Sequence, residues 1–335
     1  MKKKLLICVG AMFLVSIVNQ VFAADNEIKV EGVWGNRYIH TKDKSLEDGG
    51  TMVNLTITKK LSDKYKIVTE SEVHRPLKDS LPFATSRDGK MHSWAWPFLQ
   101  ANIEGNFDGT IVKLGRFTYT PAYKLVHDNK QQVSGGLVSF GKIVRTTIVV
   151  GKNDPFWPGT SSNSTMPGAD GLMQRSAYQS IDVVIPASEI TNIRAAYQKG
   201  TVPLPKEALP TVNPRINFKE FGFDTKVVKN LGLEAALIRS SAAADGHGSY
   251  AKLIYKGANP GIAQSFDIYT TYHKLEANSI IGNDIPMLAD YKGVRVGTHY
   301  VIWKGSLLEV FYDKQKTVKT NAKADMFMAK LDFFF

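Results

Sequence analysis

"ADMFMAKLDFFF" closes the chain at residues 324–335, and its reading decides the fold. Counted back from the end, Phe335, Phe333, Leu331, Ala329 and Phe327 share one parity. Phe334, Asp332, Lys330, Met328 and Met326 share the other. Successive strand side chains point to opposite faces, so this is a strand with one wholly apolar face and one mixed face. A terminus frayed in water stays polar and mobile, and three phenylalanines at the tip ask for a different medium. A last strand with its apolar face in lipid and its aromatic end at the membrane interface supplies that medium.

The other end of the chain is built for export. Lys2, Lys3 and Lys4 precede the apolar run "LLICVGAMFLVSIV", which leads into "NQVFAAD". That is the charged, apolar, small-residue order of a secretory signal peptide, with cleavage expected after Ala23. The run is shorter than the roughly 20 residues a spanning helix needs, and Cys8, the chain's one cysteine, stands too early in it for a lipoprotein. Residues 24–335 therefore contain no cysteine, which excludes disulfides and cysteine metal centres. Loss of the three lysines takes the net charge from +11 to +8. A basic exported protein favours anionic solutes and anionic lipid head groups, and its location argues against nucleic acid.

Between these ends, period-two alternation recurs throughout. In "IKVEGVWGNRYI" (28–39), Ile28, Val30, Trp34 and Tyr38 oppose Lys29, Glu31 and Arg37. In "GVRVGTHYVI" (293–302), Val294, Val296, Tyr300 and Ile302 oppose Arg295 and His299. Sixteen such segments are read: 28–39, 51–60, 64–75, 98–107, 110–118, 133–140, 143–152, 178–185, 190–199, 215–224, 230–240, 249–257, 262–273, 292–303, 306–316 and 324–335. Merging or splitting a segment gives fourteen or eighteen. The gaps alternate between tight ("LSD", "DG", "GK", "PASE", "TKVVK", "ANPG", "KG") and long. A soluble antiparallel sheet also alternates. The regular short–long rhythm, however, is that of an all-β transmembrane antiparallel up-and-down barrel with short periplasmic turns and long external loops. No linker interrupts it, so residues 24–335 read as one domain.

Two resemblances sharpen this reading. Phe327, Leu331, Phe333 and Phe335, with Ala329 between, resemble the C-terminal signature of Gram-negative outer-membrane proteins. The resemblance implies recognition by the barrel-assembly machinery. "GTIVKLGRFTYTP" (109–121) is similar to the strand before the third external loop of bacterial porins, and "VSFGKIVRTTIVVGKND" (138–154) resembles the porin hairpin that follows. That resemblance implies a water-filled sixteen-stranded channel in the bacterial outer membrane. It also implies a homotrimer in contact with outer-membrane lipid and lipopolysaccharide, and passage of small hydrophilic solutes or anions.

A passive channel needs no cofactor and no catalytic group, only a lumen, a constriction and charges that bias what passes. The resemblance makes 119–132 the loop that folds inward, with Lys124, His127, Asp128 and Lys130 on it; the 153–176 loop is the alternative. Basic residues offered as wall of the constriction are Arg37, Lys113, Arg116, Arg145, Arg194 and Arg295, with His299 beside them. Arg116 shares parity with Val112 and Leu114, so it points inward only past a bulge or above the membrane. Each of these bases could instead be an interfacial anchor. Trp34, Tyr38, Tyr65, Trp94, Trp96, Tyr197, Tyr272, Tyr300 and Trp303 fall near segment ends or in loops, where aromatic girdles sit. The seven histidines form no hydrolase or metal motif, and the chain reads as a channel, not an enzyme. The other readings are a monomeric adhesin or receptor barrel acting through its long loops, and a soluble periplasmic β-protein.

Overall fold

Alternating strands can end as an open sheet with one wet face or as a closed wall between two media. This chain closes. The computed structural model describes residues 28–41, 47–76, 98–121, 123–126, 132–154, 176–201, 215–281 and 290–335. The first eight strands are β1 (Ile28–Thr41), β2 (Glu47–Lys60), β3 (Tyr65–Pro76), β4 (Phe98–Phe107), β5 (Thr110–Thr118), β6 (Gln132–Phe140), β7 (Arg145–Asp154) and β8 (Ser176–Pro186). The next eight are β9 (Thr191–Thr201), β10 (Arg215–Val228), β11 (Leu231–Ser240), β12 (His247–Lys256), β13 (Phe266–Leu275), β14 (Tyr291–Tyr300), β15 (Ser306–Thr317) and β16 (Met326–Phe334). Each pairs antiparallel with its neighbour in sequence, and β16 returns to pair with β1. All sixteen segments read from the sequence are strands, and the signal-peptide region lies outside the described residues.

Closure depends on the terminal stretch. Trp34 stands opposite Phe333, Arg37 opposite Lys330 and Ile39 opposite Met328. Beyond the strand, the Phe335 N–H donates to the Gly32 carbonyl (3.0 Å), and the Gly32 N–H donates to the Phe335 carbonyl (2.8 Å). Phe333 stacks between Trp34 (4.9 Å between centroids) and Trp303 (5.6 Å). Deleting Phe335 removes two ladder bonds at the seam and one interfacial ring. It is expected to lower the yield of heat-modifiable, folded barrel on gel electrophoresis, while Phe335→Tyr keeps it; equal yields would separate the terminal residue from closure.

The outward face is a band of Ile57, Ile103, Leu114, Val150, Phe221, Leu237, Ile268 and Val296, all exposed. An apolar surface encircling a molecule is untenable in water, and it is what lipid requires of a barrel wall. Rings gather at both margins. Tyr65, Phe107, Phe140, Tyr255, Tyr300 and Trp303 lie at the short-turn end, and Tyr38, Tyr197, Tyr272 and Tyr312 toward the long-loop end. Trp94 and Trp96 lie outside the described residues.

Two connections differ from the sequence reading. "TKVVK" is mostly strand: β-branched Val227 and Val228 prolong β10 past a bulge, leaving Lys229 and Asn230 as the turn. "ANPG" is only the start of a longer connection, 257–265. There Ser265 Oγ donates to the carbonyls of Ile262 (2.7 Å) and Asn259 (3.0 Å), and Gln264 adopts φ +63°. This local bonding takes Ile262 out of the strand. By contrast the Asp108–Gly109 hairpin is as tight as its sequence implies, with φ of +53° and +90°.

Candidate functional site

Parity fixes what faces the interior. On β13–β15, Asp267, Tyr269, Thr271, His273, Arg295, Phe311, Asp313 and Gln315 point inward and are buried, and Ile268, Tyr272, Val294, Val296 and Tyr312 point outward. The same count around the ring puts nearly all described acidic strand residues on the inward face.

The segment after β5 enters this interior. Tyr119 Oη lies 3.0 Å from Ser180 Oγ on β8. The Tyr123 N–H donates to Glu220 Oε1 on β10 (3.2 Å). Its ring covers Gly222, where a Cβ would lie only 2.6 Å from Tyr123 Cε2, and Arg194 stands 5.6 Å from the ring centroid. Leu125 and Val126 are fully buried, and the Val126 carbonyl accepts from the Ile281 N–H (2.9 Å). These residues join Phe117, Val133, Leu137, Val149, Tyr178, Phe218, Ile238, Tyr250 and Leu275 in one apolar cluster. A small hydrophobic core thus lies inside the barrel, fastening 119–126 and 279–281 to the β6–β13 wall. Tyr178 Oη donates to Gln198 (2.8 Å), and Gln198 Nε2 donates to Glu220 (3.4 Å), so the acid that holds Tyr123 is itself held. Burial pushes the Tyr119 and Tyr123 phenols well above their ordinary pKa, so both stay neutral.

The residues singled out in the sequence fall as follows. Arg37 faces inward, between Lys330 and Gly50 on the neighbouring strands. Lys113 and Lys66 share Glu104, at 3.0 and 3.1 Å. Arg145 is inward near the short-turn end and donates to Ser139 Oγ (3.1 Å). Arg194 Nε donates to Asp224 Oδ1 (2.8 Å). Arg295 donates to Asp313 through NH2 (2.7 Å) and Nε (3.2 Å). His299 sits 2.8 Å from Asp267 and 3.5 Å from Glu309. Lys124 is exposed on the inward segment, at φ +62°. Arg116 stands opposite Ala101 and Ser134 on the outward parity, and donates to Gln132 Oε1 (3.3 Å). Its parity with Leu114 holds, and it does not line the lumen. His127, Asp128 and Lys130 lie outside the described residues. Phe327, Leu331, Phe333 and Phe335 face outward or sit at the seam.

The partners of these bases were not singled out beforehand. Asp313 is the centre of a buried group: His273 Nε2 lies 2.9 Å from its Oδ2, beside the Arg295 bonds, with all three near or at zero exposure. Arg295 also lies 4.2 Å over the Phe311 ring. Glu220 and Asp224 stand on β10, and Glu104 on β4. The sequence signal for them was parity: each acid falls on the face its neighbouring bases share.

No protein-family model and no curated protein matches the sequence. Solved structures do match in shape. An engineered variant of the Rhodopseudomonas blastica porin superposes with a TM-score of 0.54 at 11% identity, covering 92% of this chain and all of that one. Another variant of the same porin gives 0.55 at 10% identity with the same coverage. The low-pH structure of Pseudomonas putida OprB gives 0.59 at 14% identity, covering 95% of each chain. The chain has the porin fold. At such identities the likeness lies in the sixteen-strand closure. The charge arrangement above belongs to this chain's own residues.

Around this porin-fold lumen, the inward lysine and arginine ion pairs share a bias. In Arg194–Asp224 the base is 33% exposed and the acid 24%; in Lys113–Glu104 the values are 26% and 16%, and in Lys330–Asp332 26% and 9%. Glu220 and Asp182 are buried among the side chains around the inward segment. Water in the lumen therefore meets the basic partner more than the acidic one.

Proposed function

We propose that this protein is an outer-membrane diffusion channel for small hydrophilic solutes and ions, with a mild preference for anions. The observation that carries the channel reading is the segment 119–126 seated against the inner wall. It reaches from β5 to β8, β10 and the residues after β13, and it is tied by an apolar core where a passage alone would need only water. The wall opposite, β16 and β1–β5, presents Arg37, Asn54, Glu70, Glu104, Lys66 and Lys113. A polar wall facing a fixed loop is a passage that selects by size and charge. The outward apolar band and the likeness to porin structures support a place for this passage in the bacterial outer membrane. Three identical barrels side by side are the assembly the fold supports, with the long-loop end outside the cell.

The anion preference rests on the more exposed bases of the inward pairs, not on net charge. Inward acids and bases are close to balanced around the ring, and much of the excess positive charge sits elsewhere. In planar bilayers, the refolded protein is expected to open in steps, with a reversal potential under a KCl gradient of the sign that favours chloride. Lys66→Gln together with Lys113→Gln frees Glu104 from both partners and is expected to shift that potential toward cations with conductance nearly unchanged. Silence from correctly folded protein would instead favour the adhesin or receptor reading and move attention to the long loops.

A further inference from the structure

The connection after β13 begins "EANSII" (276–281), and its two isoleucines are each only 3% exposed. Apolar side chains are drawn out of water, and a tight turn directs these inward. The Ser279 N–H (3.0 Å) and Oγ (2.7 Å) both donate to the Glu276 carbonyl. Beside the turn, the Asn278 N–H donates to the Asp245 carbonyl (2.8 Å), and its Nδ2 to the Ala244 carbonyl (3.1 Å). The Glu276 carboxylate accepts from the His247 N–H (2.9 Å). The 241–246 connection is fastened in turn to β10, where the Ser241 N–H donates to the Asn217 carbonyl (2.8 Å) and the Asn217 N–H to Ser241 Oγ (3.0 Å). The base of the turn is thus held by the wall from β10 to β13.

From this base the segment reaches across the interior. Ile281 follows β13, yet its side chain rests on β9: a Cβ on Gly200 would stand 2.6 Å from Ile281 Cδ1. The backbone of Gly200 is ordinary strand, so what serves here is its missing side chain. At the same point the Ile281 N–H donates to the Val126 carbonyl (2.9 Å). Ile280 and Ile281 share the inner core with Leu125 and Val126. The inward segment is therefore gripped from two sides, by Ser180 and Glu220 on the wall and by Ile281 from the long-loop end.

We propose that residues 276–281 are a strut that sets the position of the inward segment, and that Ile281, seated on Gly200, is its positioning residue. The proposal rests on the channel reading above, in which 119–126 narrows the passage. A segment held only along the wall can swing about its attachments. The bond at Val126 lies three residues beyond the Tyr123–Glu220 bond, so the stretch between them, which carries exposed Lys124, is pinned at both ends. A lid over the inner core would need apolar burial alone. The strut adds a backbone hydrogen bond to the segment and a glycine socket on a strand far from its own base.

The test is Gly200→Leu in the full refolded protein, whose new side chain takes the place of the Ile281 tip. In planar bilayers wild type should hold one steady open level. Gly200→Leu should show a second, larger level and current noise severalfold above wild type, with heat-modifiable migration and the unfolding midpoint unchanged. Gly200→Leu/Ile281→Ala makes room for the leucine and should return to one level. Ile281→Ser withdraws the anchor without adding bulk and should act as Gly200→Leu does, which keeps the test decisive if leucine disturbs β9. Hydrogen exchange reads the same release without current. Amides of 119–126 should exchange roughly tenfold faster in Gly200→Leu, the scale of one lost hydrogen bond on a local opening, and at the wild-type rate in the double variant. Faster exchange in a protein that never conducts would keep the strut and sink the channel. Wild-type current and exchange in both single variants would overturn the proposal. So would a lower unfolding midpoint with current unchanged, the mark of a segment that only covers the core.

Discussion

Asp313→Ala is expected to destabilise the folded barrel by about 3–5 kcal/mol, the usual cost of removing one partner from a buried charge group. Asp313 is fully buried, and its carboxylate is the common acceptor for Arg295 (2.7 Å) and lies 2.9 Å from His273. The three residues occupy successive strands, β13 to β15, at positions the register brings side by side. Without the carboxylate, Arg295 keeps its charge, because a guanidinium is not deprotonated in a protein. The Phe311 ring stays near it at 4.2 Å, and a ring face offsets only a fraction of the loss. The expected result is a lower guanidinium midpoint for unfolding in detergent with the slope unchanged. A second variant, His273→Leu/Arg295→Met/Asp313→Leu, replaces the whole group by apolar side chains and should recover most of the loss. If Asp313→Ala unfolds at the wild-type midpoint, the group is solvated in solution and the tight packing of β13–β15 is wrong. If the triple replacement is as unstable as the single one, the cost lies in shape, not in stranded charge.

This group shows where the sequence was legible and where it was not. Strand alternation and gap length located all sixteen strands, because side-chain period and loop rhythm are local properties. Parity also put Arg295 and His299 on one face. It could not say that His273 reaches Asp313 while Asp267 meets His299, because inter-strand register depends on turn lengths that alternation does not report. The turn at 257–265 and the extension of β10 through Val228 are failures of the same kind. The inner core left a clearer trace. Val133, Leu137, Val149, Phe218, Ile238 and Leu275 break the polar character of the inward parity on β6, β7, β10, β11 and β13. Apolar residues on both faces of a barrel strand mean that something dry packs inside. Read together, those positions mark the wall on which the inward segment lies.

Leu125→Asp is expected to release that segment and raise single-channel conductance severalfold, with larger current noise. Leu125 is fully buried in the inner core, among side chains of the wall. An unpaired carboxylate there costs several kcal/mol, and the molecule has a ready escape. The strands are held by their own ladders, whereas 119–126 is held by the core, the Tyr119–Ser180 contact and the Tyr123–Glu220 bond. The loop therefore gives way before the wall does, and its departure widens the passage. Heat-modifiable migration and the unfolding midpoint should change little, which separates loop release from a damaged barrel. Leu125→Met, which keeps the core apolar, should leave conductance as it is. Unchanged conductance in Leu125→Asp with a folded barrel would mean that 119–126 does not set the narrowest point, and the 155–175 connection would then be the segment to cut. A conductance rise with altered ion selectivity would locate Lys124 at the narrow point too, because its exposed ammonium leaves the passage with the segment that carries it.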